Sequence, residues 1–463
     1  MDVHQVMDQA LKILQGKSID GYEVYFNQTS HFDIESKDGK IETLQADRYV
    51  GMAFRILNHQ RIGFSYTTLS DPSPSPRRNF SAELDRTIED TIRSAEAASP
   101  DPCFDFAPVL KASPPELPIF DQTLEGISEK IKIEKAKDLE ASTKAVDPER
   151  IKKVRKASYQ EVLSRTTLVN SNGLRYSYDH SLASASVTAV AEESGESEVA
   201  WDFDASHFFN DLDVEKVGRS AGRRALERLG GKRSPTGVYP VLLRNHVASE
   251  FLSLLAHSFF ADQVQKGKSP LRGKQGERFF SSLLTIVDDG LYSKGISTAP
   301  FDGEGMPSQR TTLVTRGEIT HYLYDRYWAN RENLSTPGSQ AGSTGNSRRH
   351  GIKFPPGVGI SNFFIEPGDL ILPRLMEGFL HGLVVEEVMG LHTVDPISGD
   401  FSLGCSGDWI ERGQKVHPVK SIVIAGNLFE LFRGVIGVGD DLRFFGAAGA
   451  PSLLIKELLI SGN

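Results

Sequence analysis

The residues of this chain best suited to hold a metal or attack a carbonyl carbon are its twelve histidines and two cysteines. A zinc hydrolase would show HExxH, two histidines one helical turn apart with a glutamate between them to activate water. That motif does not occur. His246 and His257 are eleven residues apart. On one helix they would share a face, about 20° out of phase, but stand about 16 Å apart. No single ion reaches both, so His257 reads first as a packed or satisfied helix residue.

The late segment LHTVDPISGDFSLGCSGDWIERG carries His392, Asp395, Asp400, Cys405 and Asp408. Cysteine with histidine suggests a thiol nucleophile, and carboxylate with imidazole suggests a base. The same residues also fit a peptide-binding rim, or a plain loop and strand with Cys405 as a small buried residue. Asp288, Asp289, Asp302 and Glu304 could offer oxygens to a hard cation, but their alternation is looser than a calcium loop requires, and a solvated acidic loop is expected. The basic run Lys266, Lys268, Arg272, Lys274 and Arg278 could grip a peptide carboxylate or simply be an exposed loop. Neither a GxGxxG or P-loop pattern nor a GxSxG elbow occurs, which argues against nucleotide binding and a catalytic serine.

The elements that must carry these groups follow from periodicity. Val6, Met7, Ala10, Leu11 and Leu14 form one stripe of a helix over residues 3–15, and YEVYF then alternates as a strand. Asp38-Gly39 and Asn172-Gly173 mark turns between antiparallel strands. Between the strands near each turn lie a proline-rich stretch from Asp71 to Pro76, a helix beginning near Ser81 as cap, and a charged helix over 122–145. Two cycles of helix and hairpin thus appear before residue 235, and helix 214–229 leads into GGKRSPTG, the expected boundary. We expect an amino-terminal α/β domain over 1–235. A mainly β domain over 236–463 should hold a strand at 238–244, a helix at 247–264 and the later strand-like runs LLTIVDD, TTLVTRGEITHYLYD, GDLILPRL, GFLHGLVVEEVM, GDFSLGCSGDWIERGQ and HPVKSIVIAG. The class is α+β with large antiparallel sheets.

With 463 residues, 39% of them hydrophobic and 24% charged, the chain can bury two large cores, which excludes global disorder. The formal charge of -9 gives nonspecific nucleic-acid binding no support. The amino terminus lacks a signal-peptide pattern, no apolar run approaches the roughly 20 residues of a membrane span, and two distant cysteines suit a reducing compartment. A cytoplasmic protein without nucleic-acid or membrane partners is expected.

Several ordered motifs go further. SPLRGKQG at 269–276, LTIVDD at 284–289, FDGEGMPSQRTTLVTRGEITHYLYDRYWA at 301–329, GLHTVDPISGDFSLGCSGDWIERG at 390–413, and the terminal VKSIVIAGNLFELF and VGDDLRFFGAAGAPSLLI together resemble the TldD/PmbA family (peptidase U62-like), most closely its PmbA (TldE) branch. The resemblance implies dimers that enclose a cavity. In the TldD branch a helix carries an HExxxH zinc motif completed by a distant cysteine. The PmbA branch lacks that set and pairs with TldD as a cytosolic protease of modified peptide precursors and unfolded peptides. Matching His257 to the second ligand puts Leu252 at the first ligand and Ser253 at the catalytic glutamate, and no cysteine follows Cys405. The expectation is a subunit that binds no metal itself and encloses peptide for a zinc-bearing TldD-like partner, with a homodimer as another possible assembly. An autonomous peptidase using His392, Asp395 or Cys405 and a noncatalytic scaffold are the alternatives.

Overall fold

The computed structural model describes residues 3–69, 80–110 and 113–462. The stretch from Asp71 to Pro76 lies outside them. The first part of the chain runs α1 (Val3–Gln15), β1 (Gly21–Lys37), β2 (Lys40–Asn58), β3 (Arg61–Thr68) and α2 (Phe80–Ala97). The same order of helix, three strands and helix then recurs as α3 (Glu129–Lys144), β4 (Lys153–Asn170), β5 (Arg175–Glu193), β6 (Glu196–Ser206) and α4 (Val214–Glu227). The two cycles join edge to edge through β1 and β4 in one antiparallel sheet of order β3-β2-β1-β4-β5-β6. Asp38 and Gly39 both take positive φ, 52° and 71°, as the tight β1–β2 turn demands. The stripe of α1 is buried against Val24, Phe26, Met52 and Phe54 of the sheet. Ser81, expected to cap α2, lies inside its first turn.

The second part contains β7 (Gly237–Leu243), α5 (Asn245–Ala256), α6 (Ala261–Gln265), β8 (Ile286–Asp289), β9 (Arg310–Thr315), β10 (Glu318–Ile319), α7 (Arg326–Ser335), β11 (Ser347–Arg348), β12 (Gly357–Val358) and β13 (Phe363–Ile365). It continues with α8 (Leu372–Met376), β14 (His381–Met389), β15 (Asp400–Glu411), β16 (Gln414–Asn427), α9 (Leu428–Arg433), β17 (Val435–Val438), β18 (Arg443–Phe445), β19 (Ala448–Ala450) and β20 (Leu453–Ser461). One sheet has the order β10-β9-β8-β13-β19-β18. Another runs β16-β15-β14-β7-β20-β17, and a further β16–β20 pairing closes five of its strands into a barrel. The largest core cluster fills the barrel and reaches the other sheet through Val247, Phe251, Leu252 and Leu255 of α5. The chain is therefore α+β, with helices and a six-stranded sheet first and strand-rich sheets after.

Three local readings differ. The single helix expected over 247–264 is broken: α5 ends at Ala256, His257–Phe259 form a 3-10 turn, and α6 follows. Phe259 and Phe260 turn into the core there, held by hydrogen bonds of 2.9 Å from Leu323 N to Phe259 O and from Ala261 N to Leu323 O. GDLILPRL is not a strand but leads into α8, because Pro373 suits a first helical turn and has no N–H for a ladder. Helix α7, too polar for an amphipathic signal, is started by Asp325, whose side chain accepts from Trp328 N.

Candidate functional site

The apolar side of α5 is locked into the core, so its other side must carry any chemistry. Glu250, Ser253 and His257 recur at helical spacing; Ser253 and His257 are exposed and Glu250 is half-buried. Leu252 points the other way and is 0% exposed. The His257 ring packs on Phe260, with centroids 5.0 Å apart. A core leucine, a serine and one histidine do not make a zinc site. Among the described residues no three His, Cys, Asp or Glu side chains come together to hold a metal ion. Glu250 escaped the sequence reading, although it is the one charged side chain in HVASEFLSLLA. Burial, then the charge of Glu387, pushes its carboxyl up to about 7 against the pull of Arg224. That is a group able to exchange a proton near neutrality.

The late candidates scatter. His392 and Asp395 are exposed in the connection between β14 and β15, and Asp400 is exposed at the start of β15. Asp395 accepts from Ile397 N at 2.8 Å and so shapes a turn, whereas Asp400 accepts at 2.8 Å from Asn427, its cross-strand partner on β16. Cys405 faces the barrel interior, and burial pushes its thiol up to about 12, the opposite of what a nucleophile requires. Asp408, on the outer side of β15, is held by Lys415 at 2.8 Å. Arg272 and Lys274 stay on the surface loop before β8, with Lys274 paired to Glu277 at 2.9 Å.

The acidic group is not the solvated loop expected. Asp288, Asp289, Asp302 and Glu304 are all buried. Backbone donors and distant arginines make this possible: Asp288 accepts from Ser361 N and Asn346, and Asp302 from the amides of Glu304, Met306 and Ser347. Glu304 meets Arg55 of β2 at 3.2 Å, and Arg55 in turn meets Glu23 of β1 at 3.3 Å. Arg349 pairs with the same Glu23 and stacks over Tyr25. This seam joins the first sheet to the later half of the chain. Burial, reinforced by the charge of Glu304, raises the carboxyls of both Asp302 and Asp325.

A second seam runs along the free edge of β6. Its carbonyls at Val199, Trp201 and Phe203 accept from Arg228 at 2.6 Å, Arg224 at 2.9 Å and Arg443. Arg228 also holds Glu387 of β14 at 2.6 Å. His246, at the start of α5, lies with Nε2 2.7 Å from Arg224 and 2.6 Å from the Glu386 carbonyl. Burial first, then the Arg224 charge, pushes it down to about 3, so it stays neutral.

Comparison with known proteins bears on this arrangement. Models of the PmbA/TldA metallopeptidase family match the chain in three parts: domain 1 over residues 22–99, the central domain over 123–229 and the C-terminal domain over 236–462. The metalloprotease PmbA of Escherichia coli O157:H7 is 28% identical over 100% of this chain and 96% of its own length. A metalloprotease TldD homolog of Haemophilus influenzae is 26% identical over 99% of this chain and 96% of its own length. Two solved structures share the fold. A Thermotoga maritima protein described as a candidate modulator of a DNA gyrase has a TM-score of 0.88 at 24% identity, covering 99% of this chain and 100% of that one. TldE from Thermococcus kodakarensis has a TM-score of 0.85 at 20% identity, covering 99% of both chains. With all three family parts matched in order along the α+β architecture, the chain belongs to the TldD/PmbA family.

Proposed function

We propose that this chain is a PmbA/TldE-like subunit that encloses and positions extended peptides for a TldD-type metallopeptidase, in the cytosol, with zinc, catalytic water and general base contributed by the partner. The observation that carries the reading is the face of α5. If His257 stands for the second ligand of the zinc motif, Leu252 would stand at the first and is in the core, and Ser253 would stand at the glutamate, which leaves no hydrolytic set around His257. A buried, unactivated Cys405 argues against an autonomous thiol peptidase.

Peptide would be held largely through its backbone. β3 pairs only with residues 51–58 of β2, whereas β1 pairs with β2 from Lys40 onward. The stretch of β2 before Val50, whose carbonyl accepts from Leu69 N, therefore has an edge without a strand neighbour among the described residues, a template for an added extended chain. The test is a turnover assay of an unstructured peptide with this chain, a TldD-type partner and their mixture, together with zinc analysis of each. We expect chelator-sensitive cleavage that is greatest in the mixture and absent from this chain alone. Cleavage by the isolated chain, or a partner whose rate this chain leaves unchanged, would overturn the reading.

A further inference from the structure

The arginine seam contains an imbalance that it cannot settle internally. A cleft of about 380 Å3 opens where α4, the start of α5, β14 and β15 meet, and it is lined by five cationic side chains and four carboxylates. Arg443 is matched to Asp202 at 2.7 Å and Lys415 to Asp408 at 2.8 Å. Arg223 and Glu227 stand one turn apart on α4. Arg224 and Arg244 have Glu386 as their nearest carboxylate, at 4.0 and 3.3 Å, with Asp202 and Glu250 acting on Arg224 from farther away. Neither approach is a hydrogen bond: Arg224 Nε, Arg244 Nε and Arg244 Nη1 are all shielded from solvent without an acceptor. A carboxyl in such a place would take up a proton, but a guanidinium does not lose one.

The start of α5 adds to the same field. Arg244 is its N-cap and provides no side-chain acceptor, and the first turn holds no acidic residue. Asn245 and His246 of that turn line the cleft, so the positive end of a 12-residue helix opens on the surplus guanidinium. Neutral His246 contributes no compensating charge of either sign. The surplus charge of the cleft and the acid-free first turn of α5, of whose amides that of His246 already donates to Asn245 Oδ1 at 2.8 Å, are separate observations, and both call for an anion.

We propose that this cleft binds a carboxylate between Arg244, Arg224 and the first turn of α5, and that the carboxylate belongs to a peptide. The planar fork of a guanidinium matches a carboxylate in two parallel hydrogen bonds. A terminal carboxylate and a Glu or Asp side chain present the same group. The inference deepens the peptide-holding reading and rests on it, naming an anchored acidic group in addition to backbone pairing.

Calorimetric titration of the full chain tests it with three short N-acetylated peptides: one with a free carboxy terminus, its C-terminal amide, and that amide carrying one Glu side chain. A carboxylate-bearing peptide should bind at least about tenfold tighter than the plain amide. The free acid alone showing the gain assigns the terminal group; the Glu amide showing it assigns a side chain. Arg244→Gln should abolish the preference. Arg223→Gln, at an exposed position on the rim, should lower it about threefold with the fold intact, and it decides the matter if Arg244→Gln does not fold. Equal binding of all three peptides, no binding by any, or a preference untouched by the substitutions would overturn the site. Since the readout is binding and not turnover, stimulation of a partner can fail while the site stands, and the reverse.

Discussion

Two charged seams tie the first sheet to the rest of the molecule, and they settle their charges by opposite means. In the seam around Glu23, Arg55, Glu304 and Arg349, carboxylates exceed guanidiniums once Asp302 and Asp325 are counted, and every one of these side chains is nearly or fully buried. Its unpartnered buried atoms are one acceptor, Glu23 Oε2, and one donor, Arg349 Nη1. The surplus is handled by protons, since Asp302 and Asp325 both hold theirs more tightly than usual. In the seam along β6 the surplus is cationic, its unpartnered groups at Arg224 and Arg244 are all donors, and it opens into a cleft. A carboxylate-rich seam can close on itself, whereas an arginine-rich one keeps a vacancy for an outside anion.

The largest expected effect comes from cutting the closed seam. Arg55→Met leaves Glu23 and Glu304 buried without their shared cation, and we expect a loss of about 3–5 kcal/mol in urea unfolding. Arg228→Met in the other seam removes bonds to Val199 O and Glu387, but Glu387 is 34% exposed and can turn to water. Its expected cost is about 1–3 kcal/mol. A cost for Arg228→Met equal to or above that of Arg55→Met would break the contrast between a sealed and an open seam.

The next effect sharpens the role of protons. Because the folded-state value of Asp325 is raised above that of the unfolded chain, its stabilising contribution is fully present below the unfolded value and is lost as pH rises through the folded one. Asp302 acts in the same direction, as does Glu250, whose carboxyl titrates at about 7. The melting temperature should therefore fall from about pH 4, where the unfolded carboxyls ionise, to about pH 8, where the folded Asp325 does. Asp325→Asn keeps an oxygen to cap α7 and cannot ionise, so its melting temperature should fall less over the same interval. Parallel pH profiles for the variant and the parent would contradict a proton-held seam.

What the sequence disclosed about this architecture tracks the range of the interactions involved. α1 and α4 were legible because their apolar stripes bury against neighbouring strands, and the Asp38-Gly39 turn because its backbone requires positive φ. The break in α5 was not, since it depends on Phe259 meeting a segment more than sixty residues away. Burial of Glu304 depends on Arg55, 249 residues away, and no local pattern announces such a partner. The same holds for the candidate site. His257, expected as a packed helix residue, is exposed, and the raised carboxyl of Glu250 comes first from its burial and then from Glu387 across the fold.

The smallest effect belongs to a region outside both seams and sets the baseline for them. His392 and Asp395 attracted notice because imidazole and carboxylate stand close in sequence, yet both are exposed, and Asp395 is occupied in accepting from the amides of Ile397 and Ser398. Those hydrogen bonds hold its carboxyl below the usual range, so it is ionised at neutral pH and is a weak base. His392→Ala should change stability by no more than about 0.5 kcal/mol, as should most surface substitutions, and Asp395→Asn should cost only what one weakened turn costs. Neither should alter the cleavage rate of a mixture with a TldD-type partner. The measurement pairs urea unfolding with that turnover assay. A tenfold loss of turnover in His392→Ala with unchanged stability would place chemistry in the β14–β15 connection and take it away from the face of α5.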